Sequence, residues 1–199
     1  MLIAVEGCIG AGKTTVARGL AAHRKSQLLL EKFESNPFLE TFYKDPIGTA
    51  IETEFAFLLL HFHQLKGHAD AISSGEFISD FHLGKDLIYA DLNLREPRAR
   101  HLFGELYEMC LEKTPRLDLM ICLSASTDTI LKRIQLRQRD FELEIDSQYY
   151  AGLNAAYEQF FDRYSGRKLG ISMDEWDFLA EPLLYGKVCR LIDQELNIK

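Results

Sequence analysis

The stretch Gly7-Cys8-Ile9-Gly10-Ala11-Gly12-Lys13-Thr14, followed by Thr15, has the spacing G-x-x-x-x-G-K-[ST]. Glycines at these positions let successive backbone N–H groups converge on phosphate oxygens, with the positive end of the next helix behind them. Lys13 is placed to set an ammonium on the β- and γ-phosphates, and the Thr14 hydroxyl to coordinate Mg²⁺. The whole run from Gly7 to Thr15 is therefore expected to hold ATP. Phosphoryl transfer also needs a group that deprotonates or orients the attacking oxygen, and a carboxylate for the metal. Glu31, at the end of the apolar run Gln27–Leu30, is the candidate base, and Asp80, after Phe77-Ile78-Ser79, the candidate Mg²⁺ ligand. Arg133 and Arg137 share a helix face, with Arg139 just beyond, so the three can clamp a transferring phosphate from a mobile lid. Each has a plain structural alternative. Glu31 can be an exposed strand-end carboxylate, Asp80 a helix cap, and the arginines a solvated basic face at a helix end.

The elements that must position these residues are legible from apolar periodicity. Leu2-Ile3-Ala4-Val5 reads as a buried strand and Thr14–Ala22 as the helix after the loop. Strands are expected at Gln27–Leu30, Phe77–Ser79, Asp118–Leu123 and, more weakly, Arg167–Ser172. Between them, helices are expected over Phe38–Tyr43, Ile47–Ala71, Leu83–Leu94, Arg98–Glu112 with Pro97 at its first position, Thr127–Arg137, Asp146–Tyr164 and Glu181–Leu196. Strands alternating with helices imply right-handed crossovers and a parallel sheet covered on both faces, with ligands beyond the strand C-terminal ends. Glu31 and Asp80 both fall there. The aromatics Phe55, Phe57, Phe62, Phe160 and Phe161 are read as core. Asp177-Phe178 follows the last strand and can flank a nucleotide base or form a plain turn.

No repeat, low-complexity tract or linker divides the 199 residues, so one domain is expected, with a lid around 133–145. A net charge of −7 argues against duplex nucleic acid as a partner, while leaving room for a local basic site that binds nucleotides. The longest apolar run, Phe55–Leu60, is too short to cross a bilayer, and no cleavable signal is expected ahead of a strand that begins at Leu2. Four dispersed cysteines form no metal pattern and read as reduced thiols of a cytoplasmic protein. The histidines at 61, 63, 82 and 101 form no metal signature either.

Taken together, Gly7–Thr15, Glu31 with Asn36-Pro37-Phe38-Leu39, Phe42-Tyr43-Lys44-Asp45-Pro46, and the Arg133–Glu142 stretch resemble the deoxynucleoside kinases, and among them the bacterial deoxyadenosine/deoxyguanosine branch. The resemblance covers nearly the whole chain. It implies an α/β P-loop NTPase fold with a five-stranded parallel sheet of the nucleoside-monophosphate-kinase type, flanked by helices on both faces, usually as a homodimer. It implies ATP and Mg²⁺ as cofactors and a small-molecule deoxynucleoside as substrate, with neither nucleic acid nor membrane. Glu31 would accept the proton of the substrate 5′-hydroxyl. Tyr43 and the lid glutamate Glu142 would touch the sugar 3′-hydroxyl, Asp86 would lie near the base edge, Arg133, Arg137 and Arg139 would approach the donor phosphates, and Asp177-Phe178 would sit beside the donor adenine.

The chain departs from the family twice. The third strand of such kinases usually ends acid-Arg-Ser, and here it ends Asp80-Phe81-His82; Lys85, one helical turn later, can replace the charge but not the forked guanidinium. Eleven residues after Tyr43 the family's base-reading glutamine is Glu54, which favours a base edge rich in N–H donors or pairs with a cation in the pocket. Two alternatives remain at this level. One is a thymidylate-type nucleoside monophosphate kinase, although the region from Phe55 to Phe77 offers only Lys66 and no arginine. The other is a nucleotide-binding regulatory subunit that has lost catalysis.

Overall fold

Leu2–Gly7 (β1, LIAVEG) is buried along its whole length because it runs through the centre of the sheet, with strands on both sides. The computed structural model describes residues 1–139 and 145–198. Within them the sheet has the order β2-β3-β1-β4-β5, where β2 is Gln27–Leu29, β3 Phe77–Ser79, β4 Leu119–Ser124 and β5 Lys168–Ser172. Every pairing is parallel. The sheet is thus five-stranded and parallel, with helices on both sides, as the alternation of strands and helices implies.

The first helix, α1 (Lys13–Arg24), starts directly at the glycine loop and buries Val16, Ala17, Leu20 and Ala21 against β1. Then follow a short 3₁₀ turn at Phe33–Ser35, α2 (Leu39–Lys44), α3 (Ala50–Gly67) and α4 (Ala69–Ser74). Ile47–Ala71, expected as one helix, is two. The first ends at Gly67, a poor helix former, and the His68 N–H turns back to the Leu65 carbonyl. The remaining helices among the described residues are α5 (Gly84–Asn93), α6 (Pro97–Leu111, with Pro97 at its start), α7 (Thr127–Arg137), α8 (Ser147–Arg163) and α9 (Leu183–Leu196).

Two apolar clusters hold this arrangement. One packs α1, α7, α8 and α9 on β1, β4 and β5 through residues such as Val16, Ile130, Tyr157 and Val188. The other joins α3, α5 and α6 to the β2–β3 edge through Leu58, Leu65, Phe81 and Phe103. Phe55 and Phe62 pack on the second cluster, and Phe160 on the first, as expected for core aromatics. Their practical effect is to fix the C-terminal tips of β1, β2 and β3 next to one another.

Candidate active site

The loop between β1 and α1 needs its glycines. Gly10 and Gly12 adopt φ of 82° and 101°, in the left-handed region that side chains avoid. The Ala11 N–H closes onto the Cys8 carbonyl at 3.0 Å, and Lys13 curls back so that Nζ donates to the carbonyls of Gly7 at 2.8 Å and Cys8 at 3.3 Å. Burial, reinforced by the nearby Lys85 ammonium, lowers the pKa of Lys13. An anion would relieve both effects.

Asp80 ties three elements together. Its Oδ2 accepts from the Thr14 hydroxyl at 2.6 Å, and its Oδ1 accepts from the Glu31 backbone N–H at 2.7 Å. It caps no helix. Glu31 itself lies two residues past β2, because Leu30 leaves the ladder to give its carbonyl to Gln64 Nε2. The Glu31 side chain is 14% exposed and receives Lys85 Nζ at 2.6 Å and His61 Nε2 at 3.0 Å, both on Oε1. Burial alone would raise this carboxyl, but Lys85 and His61 overcome burial and hold it well below the usual carboxylate range. His61 Nδ1 in turn meets Asp86 Oδ1 at 2.8 Å.

Two hollows meet at the loop. One, about 300 Å³, is lined by Glu31, Tyr43, Glu54, Asp80, Asp86 and Tyr149. The other, about 410 Å³, is lined by Gly10, Gly12, Arg133 and the segment from Trp176 to Leu179. Lys13, Thr14, Arg137 and Arg139 border both. A nucleotide-binding loop therefore separates two adjoining sites, one with the polar fittings of an acceptor pocket.

Comparison with known proteins agrees with this geometry. The family model described as deoxynucleoside kinase matches residues 3–197. This chain belongs to the deoxynucleoside kinase family. It is 32% identical to a deoxyadenosine kinase of Lactobacillus acidophilus over 98% of this chain and 96% of that one. It is 34% identical to a deoxyguanosine kinase of Bacillus subtilis over 78% and 76% of the two chains. The structure of deoxyadenosine kinase from M. mycoides with bound dCTP superposes with a TM-score of 0.80 at 28% identity, covering 96% of this chain and all of that one. The fold is thus that of a P-loop kinase, and the chain is an ATP-dependent deoxynucleoside kinase, which sets aside the monophosphate-kinase and regulatory-subunit alternatives.

In this kinase the predicted residues divide cleanly. Glu31, Tyr43, Glu54, Asp80 and Asp86 converge on the smaller hollow, and Thr14, bonded to Asp80, borders both. Arg133 borders the larger hollow while donating to the carbonyls of Ala11 at 3.2 Å and Met173 at 3.1 Å. Arg139 lies over the Phe33 ring at 4.6 Å. Asp177 forms a turn, its Oδ1 accepting from the Leu179 and Ala180 N–H groups, and it borders the larger hollow. Phe178 borders the same hollow but is 3% exposed, its ring packed against Tyr185 at 4.9 Å. Glu142 and part of the 133–145 lid lie outside the described residues.

Lys85 does reach Glu31, as its spacing allowed. Among the described residues Glu54 pairs with no cation; it accepts from Asn93 Nδ2 at 2.7 Å, and burial pushes its carboxyl up to about 8. Phe57, read as core, borders the smaller hollow and stacks on His61 at 5.6 Å. Two charged residues escaped the sequence reading. His61 lies seven residues after Glu54, two turns along the same helix face, which is the signal that could have found it. Glu6 interrupts the apolar run of β1, a buried carboxylate that burial pushes up to about 7 and that accepts from the His82 N–H at 2.6 Å.

Proposed function

We propose that this kinase transfers the γ-phosphoryl group of ATP to the 5′-hydroxyl of a deoxynucleoside, with purine deoxynucleosides preferred. The observation that carries the reading is the position of Glu31, in the acceptor hollow and tied through Asp80 to Thr14 of the nucleotide loop. Glu31 takes the proton of the 5′-hydroxyl as that oxygen bonds to the γ-phosphorus; the bond to the β–γ bridging oxygen breaks, and ADP leaves. Lys13 and the loop N–H groups hold the phosphates, and Arg133, Arg137 and Arg139 neutralise charge from the lid side. Tyr43 and Glu142 hold the sugar; Glu54 and Asp86 face the base; Asp177 and Phe178 flank the adenine of ATP.

The Thr14 hydroxyl and the Asp80 carboxylate, hard oxygens 2.6 Å apart beside the phosphate loop, suit Mg²⁺. When bound with ATP, that ion would neutralise charge on the phosphates. The preference for purines draws on the relatives named deoxyadenosine and deoxyguanosine kinases and on the acidic groups at the base end. Exposed Ile51 and Leu59 on α3, with Leu102 and Met109 on α6, support a homodimer. Four buried free cysteines support a reducing, cytoplasmic setting.

The test is ADP release from ATP·Mg²⁺ with each of the four deoxynucleosides and their monophosphates. Turnover should be highest with deoxyadenosine or deoxyguanosine and absent with monophosphates. Saturable ATP binding without phosphorylation of any deoxynucleoside would overturn the proposal.

A further inference from the structure

His61 is 2% exposed and uses both ring nitrogens, each toward a carboxylate. Nε2 lies 3.0 Å from Glu31 Oε1; Nδ1 lies 2.8 Å from Asp86 Oδ1 and 3.0 Å from its Oδ2. With acceptors on both sides, both nitrogens carry hydrogens and the ring is a buried imidazolium. Two aromatic rings pack against it. Phe57 stacks on it at 5.6 Å with a 22° tilt, and Phe81 lies 5.1 Å away at 33°. Aromatic walls on a cation both fix its plane and stabilise its charge. The ring therefore has one orientation, and in that orientation it spans the gap between the end of β2 and the start of α5.

We infer that His61 is a positioning residue that sets two substrate-facing carboxylates at once, Glu31 at the sugar end and Asp86 at the base end. The inference rests on the reading that Glu31 meets the 5′-hydroxyl and Asp86 the base. Lys85 approaches the same Glu31 oxygen as His61, so both cations pin Oε1 and the carboxylate plane is set from one side. Among the described residues Lys85 makes no hydrogen bond or ion pair with Asp86, whereas His61 reaches both carboxylates. A change at His61 thus has two separable consequences. Losing the Nε2 bond misaligns the proton acceptor, and losing the Nδ1 bond misaligns the base reader.

Two isosteric variants separate them. The asparagine amide overlays Nδ1 and the glutamine amide overlays Nε2, so each keeps one bond. With ATP saturating, His61→Asn should lower kcat about tenfold or more while leaving the deoxynucleoside KM within about threefold. His61→Gln should do the reverse, raising KM about tenfold with kcat within about threefold. The ATP KM should be unchanged in both. Parameters within twofold of the parent in both variants, or parallel losses in both, would overturn the inference, because a structural role gives no crossover. Should either variant fail to melt cooperatively, Asp86→Asn replaces it: weakening the Nδ1 contact should raise KM about tenfold with kcat within about threefold, as in His61→Gln, and an equal fall in kcat counts against the inference. Glu31→Gln run alongside keeps the two ideas apart. Activity in that variant removes the base assignment, whereas an inactive Glu31→Gln with silent His61 variants removes only the histidine's role.

Discussion

Lys85 Nζ lies 2.6 Å from Glu31 Oε1, with the two side chains 8% and 14% exposed. Burial alone would lower the lysine, but Glu31 keeps its pKa raised. The pair is held in place by the fold around it. Glu31 is anchored through its own N–H to Asp80, and Lys85 sits on the first turn of α5, just after the fully buried Phe81 and Leu83. A lysine in the helix thus delivers charge to the base from a direction the strand end, occupied by Phe81, does not offer.

Breaking that pair leaves a buried carboxylate short of a counter-charge. Lys85→Met should therefore cost about 3 kcal/mol of stability, as expected when one partner of a buried ion pair is removed, and should lower kcat with it. Lys85→Arg should recover part of both. Urea denaturation and steady-state kinetics on the same preparations read the outcome; a Lys85→Met protein with parental stability and turnover would show that the pair does nothing.

Glu31→Gln retains size and hydrogen bonding but cannot accept a proton. Turnover should fall about 10²- to 10⁴-fold, the range for losing a general base. ATP affinity, measured by calorimetric titration, should stay within about threefold, because the loop and Lys13 are untouched. Parental kcat in this variant would mean that the proton goes elsewhere.

Glu54 makes stability depend on pH. In the folded chain its carboxyl is pushed by burial from 4.5 up to about 8. Between those values the folded protein holds a proton that the unfolded chain has released, so stability falls as pH rises through the window. The steepest slope from this one group is about 1.4 kcal/mol per pH unit. Glu54→Gln removes the term, so thermal melts from pH 5 to 8 should show the parent losing ground to the variant. Parallel curves would place an ionised carboxylate in the folded protein.

Gly12, at φ of 101°, closes the nucleotide loop just before α1. An alanine there is strained by roughly 1–2 kcal/mol, and its Cβ would come 3.3 Å from Met173 Cε. Gly12→Ala should lower the melting temperature modestly and weaken ATP binding much more, since the N–H groups that meet phosphate belong to this turn. Unchanged ATP affinity, read by titration, would argue that the loop does not clasp the phosphates.

Residue type and spacing alone determined a good deal here. The glycine loop, the succession of strands and helices, and the strand-tip carboxylates Glu31 and Asp80 were all legible, because backbone sterics and apolar periodicity act over short stretches of chain. Resemblance to a family supplied Tyr43, Asp86 and Glu142. What only the tertiary structure decided was how charge is distributed around Glu31. His61 is thirty positions away in sequence and Lys85 is fifty-four, and nothing local to either announces a shared oxygen. Nor could the chain reveal that Glu54 would face an amide rather than a cation, or that Glu6 would lie fully buried beneath the loop. A buried charge takes its protonation and its partners from every element packed around it, and those elements become neighbours only when the sheet brings the strand tips together.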